Sequence, residues 1–264
     1  MPPTNYVWPP GDRSVGYAWS RSAPALCSAR WFSPRCFNSV PASATQQALR
    51  RLFAQWGLPQ RLRVDNGHPW GIHQDMPQVL ALWLVGLGIK LHWNPPACPQ
   101  HNGVVEVGQR TGQRWAEPWL CRSPGQLQKR IDEEDRVQRE VYPVAGGKSR
   151  WELFGMLLHS GRPYSQQWEA EHWDLPLVWE HLGGYRWQRR VNSQGRISVY
   201  AHEVWVGTAQ RGREVYVGFD PVQGDWVIQD DQGAFLIRQV KPVISREVIV
   251  NLQLSAKQGN RRIT

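Results

Sequence analysis

Two carboxylates in this sequence have settings that could do chemistry. Asp65 closes the short β-like run Arg61-Leu62-Arg63-Val64 and opens the turn sequence Asp65-Asn66-Gly67. Glu106 lies one turn into a helix predicted to start at Asn102, just after the loop Asn94-Pro95-Pro96-Ala97-Cys98-Pro99. That loop cannot be helical, because proline lacks a backbone donor and restricts the residue before it. If the strand and the helix are neighbours, both acids converge at a strand C-terminus, the edge where open α/β sheets bind ligands. Carboxylate oxygens there suit Mg2+ or Mn2+, hard cations that prefer oxygen ligands. A two-metal site would activate an attacking oxygen and stabilise a leaving one in phosphodiester chemistry. Both residues also have plainer readings. Asp-Asn-Gly is a common turn, and Glu106 with Arg110 is an ordinary i,i+4 surface pair.

The elements that must position these acids follow from hydrophobic periodicity. Ser43 and Gln46 read as a capping box opening a helix. Ala48, Leu49, Leu52, Phe53 and Trp56 share its apolar face, and Gly57 with Pro59 ends it. A second helix is predicted from Pro77, with Asp75 as its N-cap. Its body, Val79–Val85, is apolar nearly all round and therefore buried. Ile89–Trp93 reads as a strand. A helix follows Pro124, with Leu127, Ile131, Val137 and Val141 on one face. Gly146-Gly147 breaks the chain, and Gly161–Tyr164 turns it. After Gly183-Gly184, short runs rich in Val, Ile, Tyr and Trp alternate with turn residues, the pattern of a small antiparallel β-barrel. The runs are Ile197–Tyr200, Val204–Val206, Glu214–Phe219, Trp226–Ile228 and Leu236–Ile237. The first 40 residues show no periodicity. The expected organisation is an α/β core over residues 1–165, a helical linker over 166–184, a barrel over 185–242 and a basic tail over 243–264.

Composition narrows the function classes. With 264 residues, 41% hydrophobic and 20% charged, the chain is a folded globular protein. Its net charge of +9 points to a polyanion as partner, with nucleic acid the commonest. Residues after 182 carry 12 basic and 7 acidic side chains, so that third is the more basic per residue. Cys27, Cys36, Cys98 and Cys121 lack the paired spacing of a disulfide framework or a zinc site, which fits a reducing cytoplasm. The longest apolar run, Val79–Leu87, is too short to span a membrane. Among the 16 tryptophans, Trp56, Trp83 and Trp93 fit core positions. Trp187, Trp205 and Trp226 belong to the strand-rich part, where packing is the default role and base stacking the alternative.

The text around the two acids resembles a family. Arg63-Val64-Asp65-Asn66-Gly67, followed by Pro95-Pro96-Ala97-Cys98-Pro99-Gln100-His101-Asn102-Gly103-Val104-Val105-Glu106, is similar to the core of DDE transposases and retroviral-type integrases, over roughly Phe37–Tyr164. Pro99, Gln100, Asn102, Gly103 and Glu106 carry the specific half of the motif. The resemblance, to bacterial insertion-sequence transposases in particular, implies an RNase H-like core, with Asp65 the second catalytic and metal-binding acid and Glu106 the third. It implies Mg2+ as cofactor, DNA ends and target DNA as partners, a homo-oligomer on DNA, and a cytoplasmic, nucleoid-associated location. Asn102 would shape the entry to the helix. Asn102, Gln109, Arg110 and Arg114 would face DNA.

The sequence departs from the family pattern in three ways. Forty residues separate Asp65 from Glu106, several more than usual, with the surplus expected in Pro69–Pro77. Gly108 and Gly112 weaken the helix that carries Glu106. The family also uses a first aspartate on an apolar strand. Asp12 alone precedes Asp65, and it stands in the turn-like Pro9-Pro10-Gly11-Asp12-Arg13-Ser14. The reading is therefore a transposase truncated or degraded at its first strand. Its alternative is a non-catalytic remnant that still binds DNA.

Overall fold

The computed structural model describes residues 42–64, 69–71, 75–94, 114–154 and 159–254. In chain order the elements are helix α1 (Ala42–Trp56), strand β1 (Arg61–Val64), helix α2 (Val79–Gly86) and strand β2 (Lys90–Trp93). Helix α3 (Pro124–Glu140), strands β3 (Pro143–Ala145) and β4 (Lys148–Ser149), and helices α4 (Arg150–Leu153), α5 (Gln166–His172) and α6 (Leu175–Gly183) follow. Strands β5 (Arg186–Arg190), β6 (Arg196–Val199), β7 (His202–Trp205), β8 (Glu214–Asp220), β9 (Asp225–Gln229) and β10 (Phe235–Gln239) precede the last helix, α7 (Arg246–Val250). The architecture is mixed α/β. The chain divides into two units: residues 1–65 with 89–171, and residues 66–88 with 172–264.

In the first unit, α1 buries Ala48, Leu49, Leu52, Phe53 and Trp56, the face that periodicity assigned. The helix already includes Ser43, so the expected capping box at Ser43 and Gln46 is not its start; Gln46 is buried on the inner face. Gly57 ends the helix at φ 78°, a left-handed conformation that favours glycine. A Cβ there would also lie 2.3 Å from the Ser160 hydroxyl and 2.7 Å from the Arg162 carbonyl oxygen. The segment around Ser160 runs along this corner. The Leu58 N–H donates to the Arg162 carbonyl at 2.8 Å, and the Ser160 N–H to the Trp56 carbonyl at 2.8 Å. Tyr164 then packs edge-on against Phe53. Helix α3 starts where Ser123 accepts the Gln126 N–H, and its Arg139 stacks its guanidinium over Trp56. Ser149 and Glu152 form the capping box of α4.

In the second unit, every residue of α2 is buried, which explains its apolar character all round. The predicted start at Pro77 with an Asp75 cap is incorrect: Gln78 is the N-cap. Asp75 is engaged elsewhere, holding Arg189 at 2.9 Å and accepting the Met76 N–H at 2.7 Å. Tyr200 donates its hydroxyl to the Pro77 carbonyl, which fixes the approach to the helix. Trp173 covers the far end of α2, its indole N–H donating to the Trp83 carbonyl at 2.9 Å. A Cβ on Gly86 would lie 2.1 Å from that indole. Gly86→Ala is therefore expected to cost about 1–3 kcal/mol by overpacking, read as a lower urea midpoint at unchanged slope.

The strand-rich part is antiparallel throughout. Strands β10, β9, β8 and β5 form a four-stranded sheet in that order, and β6 pairs with β7 in a separate hairpin. Strand β5 was not legible in the sequence, because Arg186-Trp187-Gln188-Arg189-Arg190 holds one apolar residue. Its single inward side chain, Trp187, is 2% exposed and packs against Trp226. Val215, Val217, Phe219, Trp226 and Ile228 complete the inner face.

His181, in the last turn of α6, lies beside Tyr185, and burial pushes its imidazole below its ordinary pKa of 6.5. The unfolded chain therefore takes up a proton there before the folded chain does. The second unit should lose stability as pH falls below about 6.5, before carboxylates contribute. Asp220, held down chiefly by its hydrogen bond from Arg238, starts from 3.8, so its loss comes at lower pH. His181→Gln should flatten the melting temperature between about pH 7 and pH 5; an unchanged slope would contradict this assignment.

Candidate active site

The elements that carry the two acids can be followed strand by strand. Strand β1 pairs with β2 in parallel, with Arg61 opposite Lys90, Leu62 opposite Leu91, Arg63 opposite His92 and Val64 opposite Trp93. The ladder extends one step at each end. Lys90 donates its N–H to the Gln60 carbonyl at 3.0 Å, and Asn94 donates to the Val64 carbonyl at 2.9 Å. Val64 is 4% exposed and Asn94 is 5% exposed, so the C-terminal edge of this pair is anchored in the interior of its unit. Because the pairing is parallel, the chain leaves both strands at the same edge. Asp65 is the next residue after Val64. The proline-rich segment that leads to Glu106 is the next after Asn94.

Asp65, Asn102, Glu106, Gln109 and Arg110 lie outside the described residues. Arg114 is described and is exposed, and residues 114–116 have helical backbone. Ala116, two residues on, anchors that segment in an apolar cluster with Cys121, Leu127 and Ile131. Arg130 reaches back to bind the Ala116 carbonyl at 3.4 Å and the Glu117 carboxylate at 2.8 Å. Arg114 thus stands on a fixed piece of backbone with its side chain in solvent, a position from which a guanidinium can meet a phosphate. The outer face of β1 and β2 is also basic, with Lys90, Arg63 and His92 exposed.

Among the described residues, no group of three or more His, Cys, Asp or Glu side chains is placed to hold a metal ion. Cys121 is buried, with its thiol toward the Ala116 and Glu117 carbonyls. No described helix is long and apolar enough to cross a membrane. Trp56, Trp83, Trp187 and Trp226 are buried, in keeping with the packing role expected of them. Trp205 departs from that expectation and is 57% exposed. The sequence marks Asn94 only as the start of a loop; its backbone amide extends the β1–β2 ladder by one step at the C-terminal edge. The only hint was its place directly after a strand.

No family model matches the chain.

Proposed function

We propose that this chain is a DNA-joining recombinase of the DDE transposase and integrase class, acting through metal-dependent phosphodiester cleavage and strand transfer. The observation that supports the reading is the parallel register of β1 with β2, which ends Val64, the residue before Asp65, and Trp93, thirteen residues before Glu106, at one sheet edge. The motif residues then supply the chemistry: a donor set of carboxylates alone, suited to Mg2+ or Mn2+. Asp65 and Glu106 would hold the cation, which when bound activates the attacking oxygen and stabilises the leaving one. The basic outer face of the strand pair and the exposed Arg114 would engage DNA phosphates.

On this reading the first unit is an RNase H-like core. Among the described residues the strands of the second unit form an open four-stranded sheet and a separate hairpin, not a closed barrel, and on this reading they would stand where the small barrel follows such a core. Two DNA ends must be joined, so the working form would be a homo-oligomer assembled on DNA. The second reading, a non-catalytic DNA-binding remnant, draws on the exposed basic side chains Arg63, Lys90, His92 and Arg114, which need no metal to meet DNA phosphates.

Two measurements on the full chain separate the readings. Filter retention of duplex DNA should fall by about a thousandfold or more between roughly 50 and 200 mM salt if six or more phosphates are contacted. Nicking of supercoiled plasmid in Mn2+, absent in EDTA, is expected of the recombinase. Retention without nicking supports the remnant. No retention at low salt contradicts both.

A further inference from the structure

The exposed Trp205 sits in the least expected place for a large aromatic side chain. In the β6–β7 hairpin Ile197 lies opposite Val204, and both are buried, so the other face of the hairpin looks outward. On that face Arg196 lies directly opposite Trp205. The neighbouring backbone is tightly knit. The Val206 N–H donates to the Gly195 carbonyl at 2.8 Å and the Asn192 N–H to the Arg196 carbonyl at 2.9 Å. The Val191 N–H donates to the Arg213 carbonyl at 2.9 Å, and the Gly212 N–H to the Val191 carbonyl at 3.0 Å. These bonds bring residues 190–196 and 205–213 to one end of the strand-rich part.

That end is rich in arginine. From Arg189 to Glu214 the sequence holds five arginines and two acids, Glu203 and Glu214, the latter opposite Arg190 in the sheet and bound by Gln188. Arg189 is taken by Asp75. Arg196 meets Glu203 at 3.4 Å with both side chains exposed, a pairing of little energetic weight. Arg190, Arg211 and Arg213 are exposed and make no ion pair among the described residues. The result is an exposed indole on hydrogen-bonded backbone, with Arg196 directly opposite it and three further exposed arginines on the adjoining segments.

An aromatic face among cations fits a polyanion that also offers flat rings. Duplex DNA keeps its base faces stacked on one another, whereas an unpaired stretch presents them. We infer that Trp205, with Arg190, Arg196, Arg211 and Arg213, forms a binding site for unpaired nucleic acid: the indole stacks on a base and the arginines hold the flanking phosphates. This rests on the nucleic-acid reading above and extends it from the duplex backbone to single-stranded segments.

The test uses the full chain in EDTA and a fluorescein-labelled oligothymidine of about 12 nucleotides, within the usual length of such sites. Wild type should bind it, with affinity falling as salt rises. Trp205→Ala should weaken binding about tenfold, and Trp205→Phe should restore most of it, since a phenyl ring also stacks. Neither should alter retention of a duplex of equal length by more than about twofold. Arg211→Ala should reduce the salt slope by about 0.7, which Trp205→Ala should leave unchanged. Circular dichroism of Trp205→Ala should match wild type, because the side chain packs little. Failure of wild type to bind the oligothymidine, or equal binding by Trp205→Ala, overturns the inference. Since no metal is present, loss of plasmid nicking would count against the recombinase reading alone.

Discussion

Glu106→Gln is expected to abolish Mn2+-dependent plasmid nicking, by at least about a hundredfold, while duplex retention stays within about twofold of wild type. The substitution keeps the size of the side chain and removes its charge. A neutral amide is a much poorer ligand for a hard cation than a carboxylate. Loss even of outer-sphere partners commonly costs a metal site 10–100-fold, so a direct ligand should cost at least as much. Asp65→Asn should behave alike, because each acid would be one half of a shared site. The double variant should be no worse than either single one, since residues that act as a unit do not add. Nicking by Glu106→Gln at the wild-type rate would remove this residue from the chemistry. Loss of DNA retention along with nicking would point instead to a damaged fold.

Glu169→Ala should lower the stability of the first unit by about 3 kcal/mol. Glu169 is 4% exposed and receives two hydrogen bonds from Arg50, at 3.0 and 2.6 Å. The Tyr164 hydroxyl donates to the same carboxylate. Burial, reinforced by that hydrogen bond, pushes the Tyr164 phenol well above its ordinary pKa, and Glu169 raises that of Arg50. Removing the carboxylate strips a half-buried guanidinium and a buried hydroxyl of their shared acceptor. Glu169→Gln keeps an acceptor oxygen and should lose roughly half as much. Urea unfolding of the variants measures the difference, and a cost for Glu169→Ala below about 0.5 kcal/mol would contradict the account.

Much of the framework was legible because short-range rules governed it. The apolar faces of α1 and α3, the stop at Gly57 and strand β1 each follow from spacing and turn chemistry within a few residues. Where side chains are engaged over long distances, local sequence patterns mislead. Asp75 has the composition of a helix cap, but Arg189, 114 residues away, claims it. Strand β5 has almost no apolar signal, because one inward tryptophan supplies most of its burial while Arg186 and Arg190 face solvent and Arg189 pairs with Asp75. Trp205 shares its sequence setting with buried tryptophans, and only strand register shows which face it takes. For the site, the motif named Asp65 and Glu106. That the strands preceding them end at one edge required the β1–β2 pairing, which links residues about 30 apart and has no local signature.

If Asp65 and Glu106 share divalent cations, iron-directed cleavage should mark both segments at once. Fe2+ with ascorbate and peroxide replaces Mg2+ and cuts the protein backbone beside the bound ion. Cuts are expected near residues 65 and 106 in the same molecules, suppressed by excess Mg2+ and lost together in Asp65→Asn and in Glu106→Gln. Cuts at one segment without the other, or a pattern unchanged by either substitution, would contradict a shared site.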